Sequence, residues 1–158
     1  EKILLKNKKK IKFITYRFGT ISGVSKGMRF HTAINKFCFN CVLGKPLPLW
    51  KGMTNKPRPY LSLKDAFSVI KFTLEKNFFM NDVYNILSQN LTLTNIIKIF
   101  KKNKIKVKLE YHKSRLVNQY PYMVSNKKFS LEAFKLRSKI ANDIKLTLKQ
   151  FKYLSHEM

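Results

Sequence analysis

Acidic side chains are scarce in this chain: 8 Asp and Glu stand against 33 Lys and Arg, for a formal net charge of +25 across 158 residues. Such an imbalance attracts anions and makes nucleic acid a candidate partner. Arginine is scarce as well, with only Arg17, Arg29, Arg58, Arg115 and Arg137. Phosphate and base recognition favours the planar, bidentate guanidinium, so a chain this dominated by lysine does not read as a dedicated nucleic-acid reader. Lys, Asn, Ile, Phe and Tyr all have AT-rich codons, and a drifted base composition accounts for the lysine excess, though not for the missing acids. Long apolar runs are absent: none reaches the roughly 18 uncharged residues that crossing a bilayer requires. A soluble domain without a membrane partner is expected.

Two cysteines, Cys38 and Cys41, are too few for a disulfide framework and point to a cytoplasmic setting. Zinc would need two further ligands, and His31, His112 and His156 form no paired motif, so both thiols are expected in the core and no metal is assigned. Also missing is a glycine-rich turn between a strand and a helix, whose amides would hold a dinucleotide pyrophosphate. The chain begins at Glu1 rather than Met and shows no signal-peptide layout, which suggests a truncated beginning.

What is present is enough apolar material, 44% of residues, for one packed domain. The opening stretch reads as a helix end running into a strand over 11–18, IKFITYRF, with Gly19 and Gly23 punctuating the loop that follows. From Met28 to Leu43, Phe30, Ala33, Ile34, Phe37, Cys38, Cys41 and Val42 recur at helical spacing, and Gly44 is the natural stop. KPLPLW is a short strand and RPYLSLKD an extended run, with Asp65 placed to cap a helix over 66–76 whose inward residues are Ala66, Val69, Ile70 and Leu74. DVYNIL reads as a buried strand and Thr92 opens a third helix. KIKVKLEYH is a strand with one wet face, and a final helix runs near 139–152. The order β, α, β, β, α, β, α, β, α is a mixed α/β alternation without repeats.

YRFGTISG, then GMRFHTAINKFCFNCVLGKPLPLW, then RPYLSLKDA resemble the carboxy-terminal half of the extended short-chain dehydrogenase/reductases, the NAD-dependent nucleotide-sugar epimerase/dehydratase family. The matching pieces are the strand from Arg17 to Gly23, the 24–28 loop, the helix ending at Gly44-Lys45-Pro46, the short strand LPLW, and Arg58 followed by Asp65. RLVNQYPYMVSNKKF is similar to the family's closing R-x-G-x-D-x-x-Y motif, with Arg115 and Tyr122 at its ends. The resemblance implies an incomplete Rossmann-like fold. Residues 1–23 would be the last helix end and strand of the dinucleotide-binding part, and 24–158 the substrate-binding part.

It further implies a nucleotide-sugar substrate. Arg58 and Arg115 would grip the diphosphate, Leu49 and Trp50 would lie against the base, and Asn35 and Lys36 would contact sugar or phosphate. Thr20 stands where the family has an asparagine, so a hydroxyl replaces the amide contact. The loop between Trp50 and Arg58 is one residue longer than the common version, and Gln119 replaces the closing aspartate. NAD belongs to the intact enzyme, and the family's Tyr-x-x-x-Lys pair does not precede the opening strand, so the chain alone is expected to be inactive. Its partners would be the missing amino-terminal NAD-binding part or a second copy, which the apolar faces of the first and last helices allow. The alternatives are a basic nucleic-acid-binding domain, with KNKKKIK and KKNKIKVK as its footprint, or a noncatalytic structural remnant.

Overall fold

A computed structural model describes residues 1–113 and 122–152. Its elements are α1 (Lys2–Lys6), β1 (Ile14–Phe18), β2 (Thr20–Ser22), α2 (Ala33–Val42), β3 (Leu47–Trp50), β4 (Arg58–Ser62), α3 (Leu63–Glu75), β5 (Asp82–Ile86), β6 (Gln89–Leu91), α4 (Leu93–Lys102), β7 (Leu109–His112), α5 (Lys127–Glu132) and α6 (Ile140–Lys152). The expected mixed α/β alternation is present. β1 pairs with β5 and β3 with β7, both in parallel; β4 lies between β2, parallel to it, and β6, antiparallel.

β4 divides the interior. Successive strand residues point to opposite faces, and here both faces are covered. Tyr60 joins a core with Ile34 and Phe37 of α2, Leu47 and Leu49 of β3, Phe100 of α4, and Ile144 and Phe151 of α6. Its neighbour Leu61 joins a second core with Ala66 and Val69 of α3, Tyr84 and Ile86 of β5, and Phe129 of α5. Phe129 is fully buried, with ring centroids 5.9 Å from Tyr84 and 5.3 Å from Phe134.

Local chemistry explains several boundaries. Thr92 caps α4 through a capping box, its hydroxyl accepting from the Asn95 amide at 3.0 Å while the Asn95 side chain accepts from the Thr92 amide at 3.0 Å. Gly44 follows α2 at φ +64°, a left-handed conformation that glycine adopts without strain. At Gly19 the reason is space, since a Cβ there would sit 3.0 Å from the Pro59 carbonyl oxygen.

The structure corrects several readings, beginning with α2, which starts at Ala33 rather than Met28 and leaves Phe30 outside it and 46% exposed. α3 begins at Leu63, inside the run expected to be extended, and Asp65 lies in its first turn rather than capping it. Ile70 and Leu74 point outward, at 47% and 69% exposure, because α3 covers its core through Ala66, Val69 and Thr73. The lysine-alternating segment pairs only over Leu109–His112, where β3 supplies four partners. β2 forms within the stretch from Gly19 to Gly23 read as a loop, and two further elements were not foreseen: β6, which exists through its pairing with β4, and α5, which is held by Phe129.

Candidate functional site

The residues singled out above lie on several elements, and one of them, Leu49, belongs to the first core. Asn35, in the first turns of α2, is 4% exposed; its Nδ2 donates to the Arg29 carbonyl at 3.1 Å and anchors the loop entering the helix. Its Oδ1 is buried without a partner among the described residues. Such an orphan acceptor normally costs stability. Lys36, expected beside it, instead projects into solvent, because adjacent helical positions lie about 100° apart.

β3 supplies the next two. Leu49 is fully buried, so only its backbone can meet a ligand. Among the described residues β3 is hydrogen-bonded along one edge, to β7, which leaves its other edge's amides and carbonyls outside a ladder. Trp50 ends the strand opposite His112 and keeps 43% of its surface exposed. The loop from Lys51 to Pro57 is fastened to the start of α4: Thr94 donates from its amide to the Thr54 carbonyl at 3.0 Å and from its hydroxyl to Asn55 Oδ1 at 2.6 Å.

Arg58, half-buried, is the first residue of β4, and Thr20 pairs with Tyr60 two residues further along. Strand rise and spacing put the Thr20 and Arg58 backbones roughly 8 Å apart on one face of the sheet. Leu49 belongs to the first core and Asn35 is buried on α2, whereas Arg58 is half-buried and Thr20, Trp50 and Lys36 are exposed. Arg115 and Gln119 lie outside the described residues.

Sequence reasoning did not single out a second feature. A cavity of about 510 Å³ opens at the carboxyl ends of parallel β1 and β5, with Arg17, Gly19, Pro59, Asn85 and Tyr122 in its wall. Open parallel sheets place ligands at this end of their strands. Arg17 there is paired with Glu1, whose carboxyl is held below its ordinary range by that guanidinium. The available signal was the Arg17–Gly23 strand together with Tyr122; nothing local marked Asn85.

Beneath both regions lies a buried polar seam. Asp143 of α6 accepts from Ser22 and Ser62, each at 2.9 Å, and Asp65 accepts from Ser88 and Ser138, each at 2.6 Å. Burial holds the Asp143 carboxyl above its ordinary range, against the two serine hydrogen bonds, with the nearby Asp65 charge adding to the rise. Asp65 is therefore a tie between segments, without a cap hydrogen bond to the α3 amides. Cys38 is packed in the core and Cys41 is half-buried; burial pushes the Cys41 thiol up to about 11 and Cys38 higher still. Burial therefore favours the protonated thiol at both positions at neutral pH.

No family model and no curated protein sequence matches the chain. Solved structures do. UDP-glucuronic acid 4-epimerase from Bacillus cereus, in complex with UDP-glucuronic acid and NAD, superposes on 97% of this chain at 19% identity and a TM-score of 0.80. dTDP-glucose 4,6-dehydratase from Bacillus anthracis, in complex with NAD, covers 98% at 20% identity and 0.78. UDP-glucose 4-epimerase from Thermus thermophilus, in complex with NAD, covers 96% at 16% identity and 0.78. The chain spans about half the length of each, 50% in all three cases. The chain thus has the fold of about half of an extended short-chain epimerase or dehydratase, consistent with the carboxy-terminal part, and is a partial Rossmann-like α/β unit.

Proposed function

We propose that this chain is the substrate-binding half of an NAD-dependent nucleotide-sugar epimerase or dehydratase. The observation that carries the reading is the superposition on 97% of the chain with an enzyme solved in complex with a UDP-sugar, at a TM-score of 0.80. Three local features support it. Arg58 brings a guanidinium to the rim, and such a group fits a diphosphate bidentately. The open edge of β3 offers backbone groups to a base edge, beside the exposed Trp50 ring. Thr20 presents a hydroxyl on the Arg58 face of the sheet, where it reaches toward the sugar. Arg115 is proposed as the second phosphate ligand.

NAD does not fit the chain's own residues. A pyrophosphate cradle needs a glycine-rich turn from a parallel strand into a helix. Here the turn after β1 holds the single Gly19, which is filled by its approach to Pro59 and leads into another strand. The cofactor, which accepts and returns a hydride, would be held by a dinucleotide-binding half, and the 158 residues by themselves bind the sugar nucleotide without turning it over.

Calorimetric titration with UDP-, dTDP- and GDP-sugars at about 0.15 M salt, beside a short single-stranded DNA, tests this. Selective binding that weakens on Arg58→Ala by about 10- to 100-fold, the worth of a charge-assisted hydrogen-bond pair, is expected. Binding of DNA that falls steeply with salt, with no preference among nucleotides, would replace the reading by a basic nucleic-acid-binding one.

A further inference from the structure

At the far end of α2 from Asn35, a groove of about 950 Å³ lies between the carboxyl ends of α2 and α4 and the outer face of α6. None of the residues assigned to the sugar nucleotide lines it. Lys145 and Lys149 stand along α6 four residues apart, on one stripe of the helix, and Lys104 lines the groove with them. Among the described residues no Asp or Glu lines it. The floor is aliphatic, with Val42, Ile105 and Leu146, and Leu146 keeps 58% of its surface exposed.

We infer that this groove is a docking surface for an acidic amphipathic helix of a partner protein. Charge complementarity selects the occupant: carboxylates at helical spacing would meet the lysine stripe while the apolar face of the same helix settles on the floor. A helical turn about 10 Å across and 5.4 Å long occupies roughly 420 Å³, so the groove takes about two turns. A nucleic-acid strand suits the floor poorly, since among the described residues no aromatic side chain lines it for base stacking. A flat lipid surface would not reach the floor of a concave channel.

The test is fluorescence anisotropy with the full chain and a labelled 14-residue peptide carrying Leu at i, i+3, i+4 and i+7 with Glu on the flanking positions. A scrambled peptide of the same composition, a single-stranded DNA of matched charge and phosphatidylglycerol vesicles are run beside it. The amphipathic peptide should bind at least tenfold more tightly than the scramble and gain helical circular dichroism on binding. Lys145→Glu with Lys149→Glu should weaken it at least tenfold, and Leu146→Asn several-fold. Lys9→Glu with Lys10→Glu, an equal charge change elsewhere, should alter it less than twofold. Equal binding of the two peptides, an equal loss from the Lys9 and Lys10 changes, or tighter binding of the DNA or vesicles through Lys145 and Lys149 would overturn the assignment. Because Lys145, Lys149 and Leu146 are exposed, these variants should fold, and native circular dichroism confirms it. Sugar-nucleotide titration of the same variants should be unchanged, which separates this surface from the substrate site.

Discussion

Replacing Asp143 by alanine would remove the acceptor for two hydroxyls that have nowhere else to go. Ser22 is 2% exposed and Ser62 is fully buried, and each donates to one oxygen of the Asp143 carboxylate. A buried hydroxyl left without its partner costs about 1–3 kcal/mol. Two would cost about 2–6, lessened by release of a carboxylate whose burial is itself unfavourable, so a net loss of about 2–4 kcal/mol is expected. Asp143→Asn should lose far less, because the amide keeps an acceptor and the serines can reorient. The pH dependence separates the two effects. The folded-state Asp143 carboxyl lies above its ordinary range, so between the unfolded and folded values the native state holds more protons. Stability must then fall as pH rises through that window and level off above it. Urea unfolding of the wild-type chain and both variants across about pH 4 to 8 measures this. The wild type should lose stability relative to Asp143→Asn as pH rises. An Asp143→Ala variant within about 0.5 kcal/mol of wild type, or a wild type that gains on Asp143→Asn with rising pH, would refute the reasoning.

Phe129→Ala should destabilise by about 3–5 kcal/mol and empty the second core, seen as a lowered urea midpoint with loss of near-ultraviolet dichroism. Gly19→Ala would force a Cβ against the Pro59 carbonyl oxygen at 3.0 Å and should cost about 1–3 kcal/mol in the same assay, because backbone rather than a flexible side chain must yield. Cys41, with its thiol pushed up to about 11, should react with iodoacetamide only slowly at pH 8 and faster as pH rises toward 11; Cys38 should lag behind it. Mass spectrometry of alkylated peptides reads both, and rapid labelling of Cys38 under native conditions would contradict its burial.

Much of this architecture follows from short-range patterns. The capping box at Thr92, the Gly44 stop and the helical spacing of Ile34, Phe37 and Cys38 each act within a few residues, so α2 and α4 were legible before any tertiary contact. So was α6, whose Ile140, Ile144, Leu148 and Phe151 recur on one face. The resemblance in the order of motifs likewise anticipated a half-length fold. Residues that act through the backbone or through neighbours were less visible. Lys36 and Asn35 differ by one position, and only the packing of α2 against α6 decided which faces inward.

What required the folded chain was everything carried by contacts between distant segments. β6 is three polar-to-apolar residues without strand character of its own and exists because Tyr60, Pro59 and Arg58 offer it a ladder. Asp143 and Ser22 stand 121 positions apart, so no local rule could pair them, and Asp65 was freed from capping α3 because Ser88 and Ser138 claim its oxygens. Local propensity and periodicity determine which segments are helix or strand; the juxtaposition of β4 between two cores determines which side chains are buried and which remain exposed.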